Sequence, residues 1–198
     1  MEDIKTLSEE ESLKLIANTI HEAQGYFHES GTGALLYGFS IGICSVLTYL
    51  REVNIIIFPF HPFYCIIPVF FIQTWLQVKE EKKKKAKTFT DSAIDYVWHG
   101  FFIASLAAWC ANFAGLEYIA IAIILFLAGF ATFLTGMIAQ FKYSIICGIA
   151  CLGLAVFSFF RLSPSIYLLF GLTAVFVWVI PGFILRATFK KLQHAGRG

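Results

Sequence analysis

With 58% hydrophobic residues, 22 phenylalanines and only 14% charged residues in 198, this chain is too apolar to fold as a water-soluble globule. A formal charge of +2 says little by itself; what matters is how the basic residues are sorted along the chain. The composition excludes a disulfide-stapled secreted domain and favours a polytopic membrane protein.

Residues 1–31 are read as a cytoplasmic amphipathic helix, the only sizeable extramembrane segment. Ser8 starts it as a capping residue, with Glu11 three positions on completing a capping box and the acidic first turn suiting the helix dipole. Leu13, Ile16, Ala17, Ile20 and Phe27 then recur at helical spacing, with Lys14, Asn18, Glu22 and Glu29 on other faces. Such a stripe needs a cover: the membrane interface, the inner ends of the bundle, or a second protein. The glutamates disfavour an anionic lipid surface, since interfacial helices prefer Lys and Arg. Leu13, Ile16, Ile20 and Phe27 are therefore the candidate partner-binding residues. His21-Glu22 and His28-Glu29 repeat seven residues apart but lack the spacing of a His-Glu-x-x-His zinc motif.

From residue 32 to 198 the expectation is a six-span transmembrane domain, all-α, built as a hairpin followed by a four-helix up-and-down bundle. The apolar stretches run from Ala34 to Leu50, Pro62 to Val78, Ala93 to Phe113, Tyr118 to Ile138, Tyr143 to Phe160 and Ser165 to Leu185. A spanning helix needs about 20 such residues. Placing the N-terminus inside leaves Lys5, Lys14, Lys79, Lys82, Lys83, Lys84, Lys85, Lys87, Lys142, Arg186, Lys190, Lys191 and Arg197 on the inner side, with only Arg51 and Arg161 outside. This asymmetry follows the positive-inside rule and puts both termini in the cytoplasm. Residues 1–30 are acidic and show no cleavable signal, so the first span is expected to act as the insertion signal.

The second span is proline-rich: Pro59 and Pro62 flank His61, which is read as a turn residue, while Pro68 is expected to kink the span or mark a short broken segment. The basic cytoplasmic loop 79–92 follows. Glu80 with Lys84 and Glu81 with Lys85 form i,i+4 pairs, and Lys82, Lys83, Lys84 and Lys85 serve either as a solvated inside anchor or as a lipid-headgroup or acidic-partner site. Thr88 and Asp91 form a second capping box at the start of the third span.

Asp91, Asp95 and His99, at i, i+4 and i+8, are the best candidates for ligand binding or a proton relay, because ionisable groups near the bilayer are costly unless paired. The same stripe serves equally as a polar patch, with Asp95 bonding His99 or a lysine. No metal, cofactor or catalytic set is assigned. Three ligand types without a second cluster make a weak metal site, and Gly31-Thr32-Gly33 is no phosphate loop.

The last four spans are joined by short links, which forces antiparallel neighbours. Gly38 with Gly42, Ala104 with Ala108, and Thr132 with Gly136 offer notches for close helix approach, either within the chain or in a homodimer. Trp75, Trp98, Trp109, Tyr118, Tyr143, Tyr167 and Trp178 are expected near the interfaces. Cys44, Cys65, Cys110, Cys147 and Cys151 read as packing residues within spans.

Two stretches carry a resemblance. Leu15-Ile16-Ala17-Asn18-Thr19-Ile20 through Gly31 and Leu35-Leu36-Tyr37-Gly38, then Lys85-Ala86-Lys87-Thr88-Phe89 through Asp91, Ile94, Tyr96 and Trp98, resemble an uncharacterised group of small multi-span inner-membrane proteins of Bacteroidetes-type bacteria. Members of such groups often sit beside a small winged-helix regulator, so the resemblance implies a membrane-linked regulatory role and a cell inner-membrane location. It carries over no catalytic residues.

Three functions fit the sequence. The first is a non-enzymatic regulatory or scaffold protein that binds a cytoplasmic or membrane partner through its N-terminal helix and inner surface. The second is a small transporter or channel with Pro68, Asp95 and His99 along its path. The third is an inner-leaflet lipid-acting enzyme using Asp91, Asp95 and His99. Membrane lipids are the expected surroundings, and no direct nucleic-acid partner is expected.

Overall fold

The computed structural model describes residues 31–81 and 89–195. The N-terminal amphipathic segment with Leu13, Ile16, Ile20 and Phe27, and the lysines Lys82, Lys83, Lys84 and Lys85, lie outside the described residues. Within them every regular element is helical: α1 Thr32–Glu52, a 3-10 turn Pro62–Cys65, α2 Ile66–Glu81, α3 Phe89–Trp109, a 3-10 turn Cys110–Ala114, α4 Glu117–Ile138, α5 Lys142–Phe160, α6 Ile166–Ala174, a π-helical turn Val175–Val179 and α7 Ile180–Ala195. Five helical segments are long and apolar enough to cross a membrane, the last being the continuous rod Ile166–Ala187, and Pro62–Leu76 is a shorter apolar sixth.

Backbone chemistry sets the boundaries. Gly31 caps α1 in the left-handed region at φ 66°, where a Cβ would stand 2.5 Å from the Gly182 carbonyl oxygen. Only glycine satisfies both the dihedral and the approach. Asn54, at φ 58°, turns the chain after α1, and Asn is among the few side chains that tolerate this conformation. Asp91 sits in the first turn of α3, where a carboxylate complements the exposed amides. Gly115 (φ 73°) closes the 3-10 turn Cys110–Ala114.

Pro68 occupies the first turn of α2, where its missing N–H costs nothing, and it faces outward. The irregularity in this crossing is the 3-10 to α junction at Cys65 and Ile66, so a short broken segment describes it better than a kinked long helix. A second irregularity lies in the last rod. Pro181 has no amide hydrogen to give the preceding turn, and the wider π turn Val175–Val179 directly before it absorbs the mismatch.

The helices alternate in direction. The Gly31 end of α1 meets Gly182 and the Arg186 backbone of the last rod, and the position of Gly33 faces Gln73 of α2. At the other end, His61, Trp109, Glu117 and Tyr167 come together from the starts or ends of four elements. The predicted hairpin and four-helix set do not form separate layers: α1 packs along α6 and the π turn more extensively than along α2.

The tightest seam is α4 against α5. At Gly136 a Cβ would stand 2.6 Å from the Ile145 amide nitrogen, and at Gly148 it would stand 2.6 Å from that of Phe133. Between helices in lipid there is little hydrophobic driving force, so this backbone proximity supplies dispersion contacts instead. Ala120, Ala122, Leu125, Ala128, Cys151 and Ala155, from the same two helices, are completely buried in the core cluster. Of the predicted notches, Gly38 receives Val179 and Trp178, Thr132 and Gly136 are buried, and Gly42 faces open space.

Two aromatic expectations change. Tyr167 is fully buried and Trp178 nearly so, because Trp178 anchors a core cluster with Tyr37 (5.5 Å between ring centroids), Trp98 (6.0 Å) and Phe101 (6.3 Å). They are packing residues and not interface anchors. Trp75 and Tyr143 remain exposed, and Lys79 lies 5.0 Å over the Trp75 ring in a cation–π contact.

Candidate functional site

The predicted stripe on α3 runs from a buried to an exposed position. Each four-residue step on an α-helix overshoots a full turn by about 40°, so residues at i, i+4 and i+8 drift around the helix. The structure shows that drift: Asp91 is buried, Asp95 half-buried and His99 exposed. His99 Nδ1 donates to the Asp95 backbone carbonyl at 2.6 Å, so the imidazole is engaged by its own helix. Among the described residues no group of three or more His, Cys, Asp or Glu side chains is placed to hold a metal ion.

A set of ionisable groups comes together at the opposite end, on residues the sequence reading left as turn and boundary positions. Glu117 opens α4, Tyr167 lies in the first turn of α6, and His61 caps the 3-10 turn before α2. The Tyr167 hydroxyl donates to Glu117 Oε1. His61 Nε2 lies 3.4 Å from the same oxygen, while His61 Nδ1 accepts from the Phe63 amide at 3.4 Å. That acceptor role leaves the proton of the neutral ring on Nε2, facing the carboxylate. The contact is a close charge–dipole approach; the aligned hydrogen bond to Glu117 belongs to Tyr167.

Aromatic rings wall this corner. Phe63, Tyr64, Trp109 and Tyr167 have centroids 5.8, 6.1, 6.4 and 6.4 Å from that of His61. The His61 side chain is 18% exposed and that of Glu117 is 38% exposed, so the carboxylate reaches the surface while the imidazole stays shielded. Arg51 at the end of α1 adds a positive charge that acts on Glu117. A polar group in low dielectric is costly when unpaired, and these residues relieve one another.

Chemically the arrangement is a clasp. It ties the start of the second crossing to α3, α4 and α6 through one carboxylate and one imidazole. A signal for it exists in the sequence: Glu117 opens one of the two most apolar spans, and His61 interrupts an apolar run from Ile55 to Ile72. Both fall at the same predicted end, and lone ionisable groups in apolar segments call for each other. Tyr167 carried no such mark.

Some of the remaining polar side chains inside the helices serve their own backbone, while the Ser45, Ser105 and Thr135 hydroxyls are buried without a hydrogen-bond partner among the described residues. Thr48 donates to the Cys44 carbonyl at 2.7 Å, Thr132 to that of Ala128 at 2.8 Å and Ser158 to that of Ala155 at 2.7 Å. Cys44, Cys147 and Cys151 are buried free thiols, and Cys65 and Cys110 are exposed ones in the 3-10 turns.

Comparisons with protein-family models, curated proteins and solved structures find no match to this chain.

Proposed function

We propose that this protein is a non-enzymatic multi-pass scaffold or regulatory component of the cell inner membrane, with both termini cytoplasmic, that binds a partner through its N-terminal segment and inner surface. The observation that carries the reading is the solid α4–α5–α6 centre. Completely buried Ala, Leu, Cys and Tyr side chains fill it, and the Thr132 and Ser158 hydroxyls bond carbonyls of their own helices. A permeation path needs a lined, hydrated route, and a lipid-acting enzyme needs a convergent reactive set. Asp91 is buried, and His99 is exposed and bonded to the Asp95 backbone carbonyl of its own helix.

The shared-face arrangement of the termini draws support from the contact of Gly31 with Gly182 and the Arg186 backbone, which brings the beginning of the first span beside the finish of the last. The sorting of Lys and Arg supports placing that face inside. The resemblance to inner-membrane proteins associated with a winged-helix regulator supplies the regulatory part of the proposal.

The test is affinity purification of the full chain and of a chain lacking residues 1–29 from the same membranes. Loss of a specific partner on truncation is expected. An unchanged set of partners overturns the reading, and so does a proteoliposome flux that Asp95→Asn abolishes.

A further inference from the structure

The segment between α1 and the 3-10 turn is unlike an aqueous loop. Residues 53–60 read Val-Asn-Ile-Ile-Ile-Phe-Pro-Phe, with one polar side chain among eight. Ile55 and Phe60 are exposed, and Ile57 is 96% exposed, so this apolar surface points away from the bundle. It is continuous with the exposed apolar face of the second crossing, which carries Tyr64, Ile67 and Phe71.

The backbone gives a second, independent indication. Ile55 and Ile56 both donate to the Leu50 carbonyl, but the following amides of Ile57, Phe58 and Phe60 have no backbone partner among the described residues. Unpaired amides do not settle in hydrocarbon, and large apolar side chains do not settle in water. One layer accommodates both: the glycerol-ester zone of a phospholipid leaflet, where ester carbonyls and water accept hydrogen bonds just above the acyl chains. Pro59 removes one more donor from the segment.

Position along the chain points the same way. Residues 55–60 directly precede the second crossing, whose helical course runs from Pro62 to Glu81, and flanking apolar residues of this kind extend a span into the leaflet. Their far end is fixed by the His61–Glu117–Tyr167 clasp and their near end by the left-handed Asn54. The ordering cost of insertion is thereby lowered before lipid is met.

We infer that residues 55–60 form a preorganised loop that inserts into the ester zone of the leaflet at the His61 end of the bundle, with Ile57 and Phe60 reaching the upper acyl chains. The occupant of this surface is phospholipid. The inference rests on the membrane-spanning architecture of the scaffold reading and not on its partner.

The full chain carrying Cys65→Ser and Cys110→Ser receives a single environment-sensitive fluorophore at Ile57→Cys. It is reconstituted in vesicles of phosphatidylcholine and phosphatidylglycerol doped with lipids bearing a spin label at acyl carbon 5 or 12. Ile149→Cys on the exposed face of α5 serves as the hydrocarbon control, and Ser163→Cys in the α5–α6 link as the loop control. Expected is stronger quenching at position 57 by the carbon-5 label than by the carbon-12 label, with iodide quenching reduced at least threefold relative to position 163. Iodide quenching equal to that at position 163 puts the loop in water and overturns the inference. Protection from both iodide and spin-labelled lipid means that protein covers it, a second copy included, and overturns it too. Stronger quenching by the carbon-12 label refutes the proposed depth. A label at position 149 that spin-labelled lipid fails to quench indicts the membrane-spanning reading itself, which keeps the two failures apart. Ile55→Cys repeats the measurement should Ile57→Cys fail to reconstitute.

Discussion

Tyr167, buried in the first turn of α6, donates its hydroxyl proton to Glu117, the first residue of α4, fifty positions away in the chain. This bond fixes the relative height of two helices, and His61 attaches the second crossing to the same carboxylate. Tyr167→Phe keeps the ring packing and removes only the donor. The expected loss is about 1–2 kcal/mol, within the range for hydrogen bonds to charged groups and for polar contacts in membrane proteins. Glu117→Gln keeps an acceptor but removes its charge and should cost less, and the double variant less than the sum, because both changes act on one bond. Thermal unfolding in detergent checks this; strictly additive losses contradict it.

His61 holds two positions at once, and substitution separates them. Asn is a good capping residue and can accept from the Phe63 amide, but it does not reach Glu117 as the ring does. Stability is therefore expected to fall in the order wild type, His61→Asn, His61→Ala, with the cap accounting for about 0.5–1 kcal/mol. Amide hydrogen exchange at Phe63 and Tyr64 should rise in the Ala variant and rise less in the Asn variant. Equal exchange in both removes the cap from the account.

How legible this molecule was depends on the length scale of the signal. The crossings were readable because hydrocarbon solvation acts on every residue of a span and leaves a pattern some twenty residues long. The burial of Trp178 and Tyr167 was not, because interface preference and core packing select the same aromatic types, and only the neighbours of Trp178 decide between them. The π turn was marked by Pro181, yet a proline in a membrane helix is compatible with several local responses. The clasp joins residues from three elements far apart in sequence. Taken singly, His61 looks like a turn and Glu117 like a helix start.

The α4–α5 seam makes a sharp contrast among glycines. Gly136→Ala and Gly148→Ala place a methyl group against backbone nitrogen at 2.6 Å, which no side-chain rotation relieves. Each should lower stability by about 1–3 kcal/mol through forced helix separation. Gly42→Ala, with nothing within 4 Å of its Cβ position, should be neutral or slightly stabilising. Unfolding midpoints in one detergent test the contrast. A destabilising Gly42→Ala would instead locate a helix–helix contact that a single copy does not contain.

The tryptophans divide the same way. Trp178→Ala empties a site ringed by Tyr37, Trp98 and Phe101, and a loss of about 3 kcal/mol is expected from the cavity and the missing dispersion contacts. Trp75 is mostly exposed and contacts Lys79, so Trp75→Ala should change stability by less than about 1 kcal/mol. Equal losses would place Trp75 in an interface.

Asp91 and His99 provide the test that separates a structural α3 from a ligand-bearing one. Asp91 is buried in the first turn, where its charge complements the helix amides, so Asp91→Ala is expected to destabilise the fold by about 1–2 kcal/mol. His99 is exposed and donates only to the carbonyl one turn back, so His99→Ala should leave the unfolding midpoint unchanged. A binding stripe predicts the reverse weighting. Its outer member would meet the ligand, and removing it would abolish a bound ion or lipid while sparing stability. Native mass spectrometry of the wild type and His99→Ala distinguishes the two. The packing of α3 requires identical bound species in both, because a side chain turned away from its neighbours and engaged by its own backbone has little left to offer a ligand.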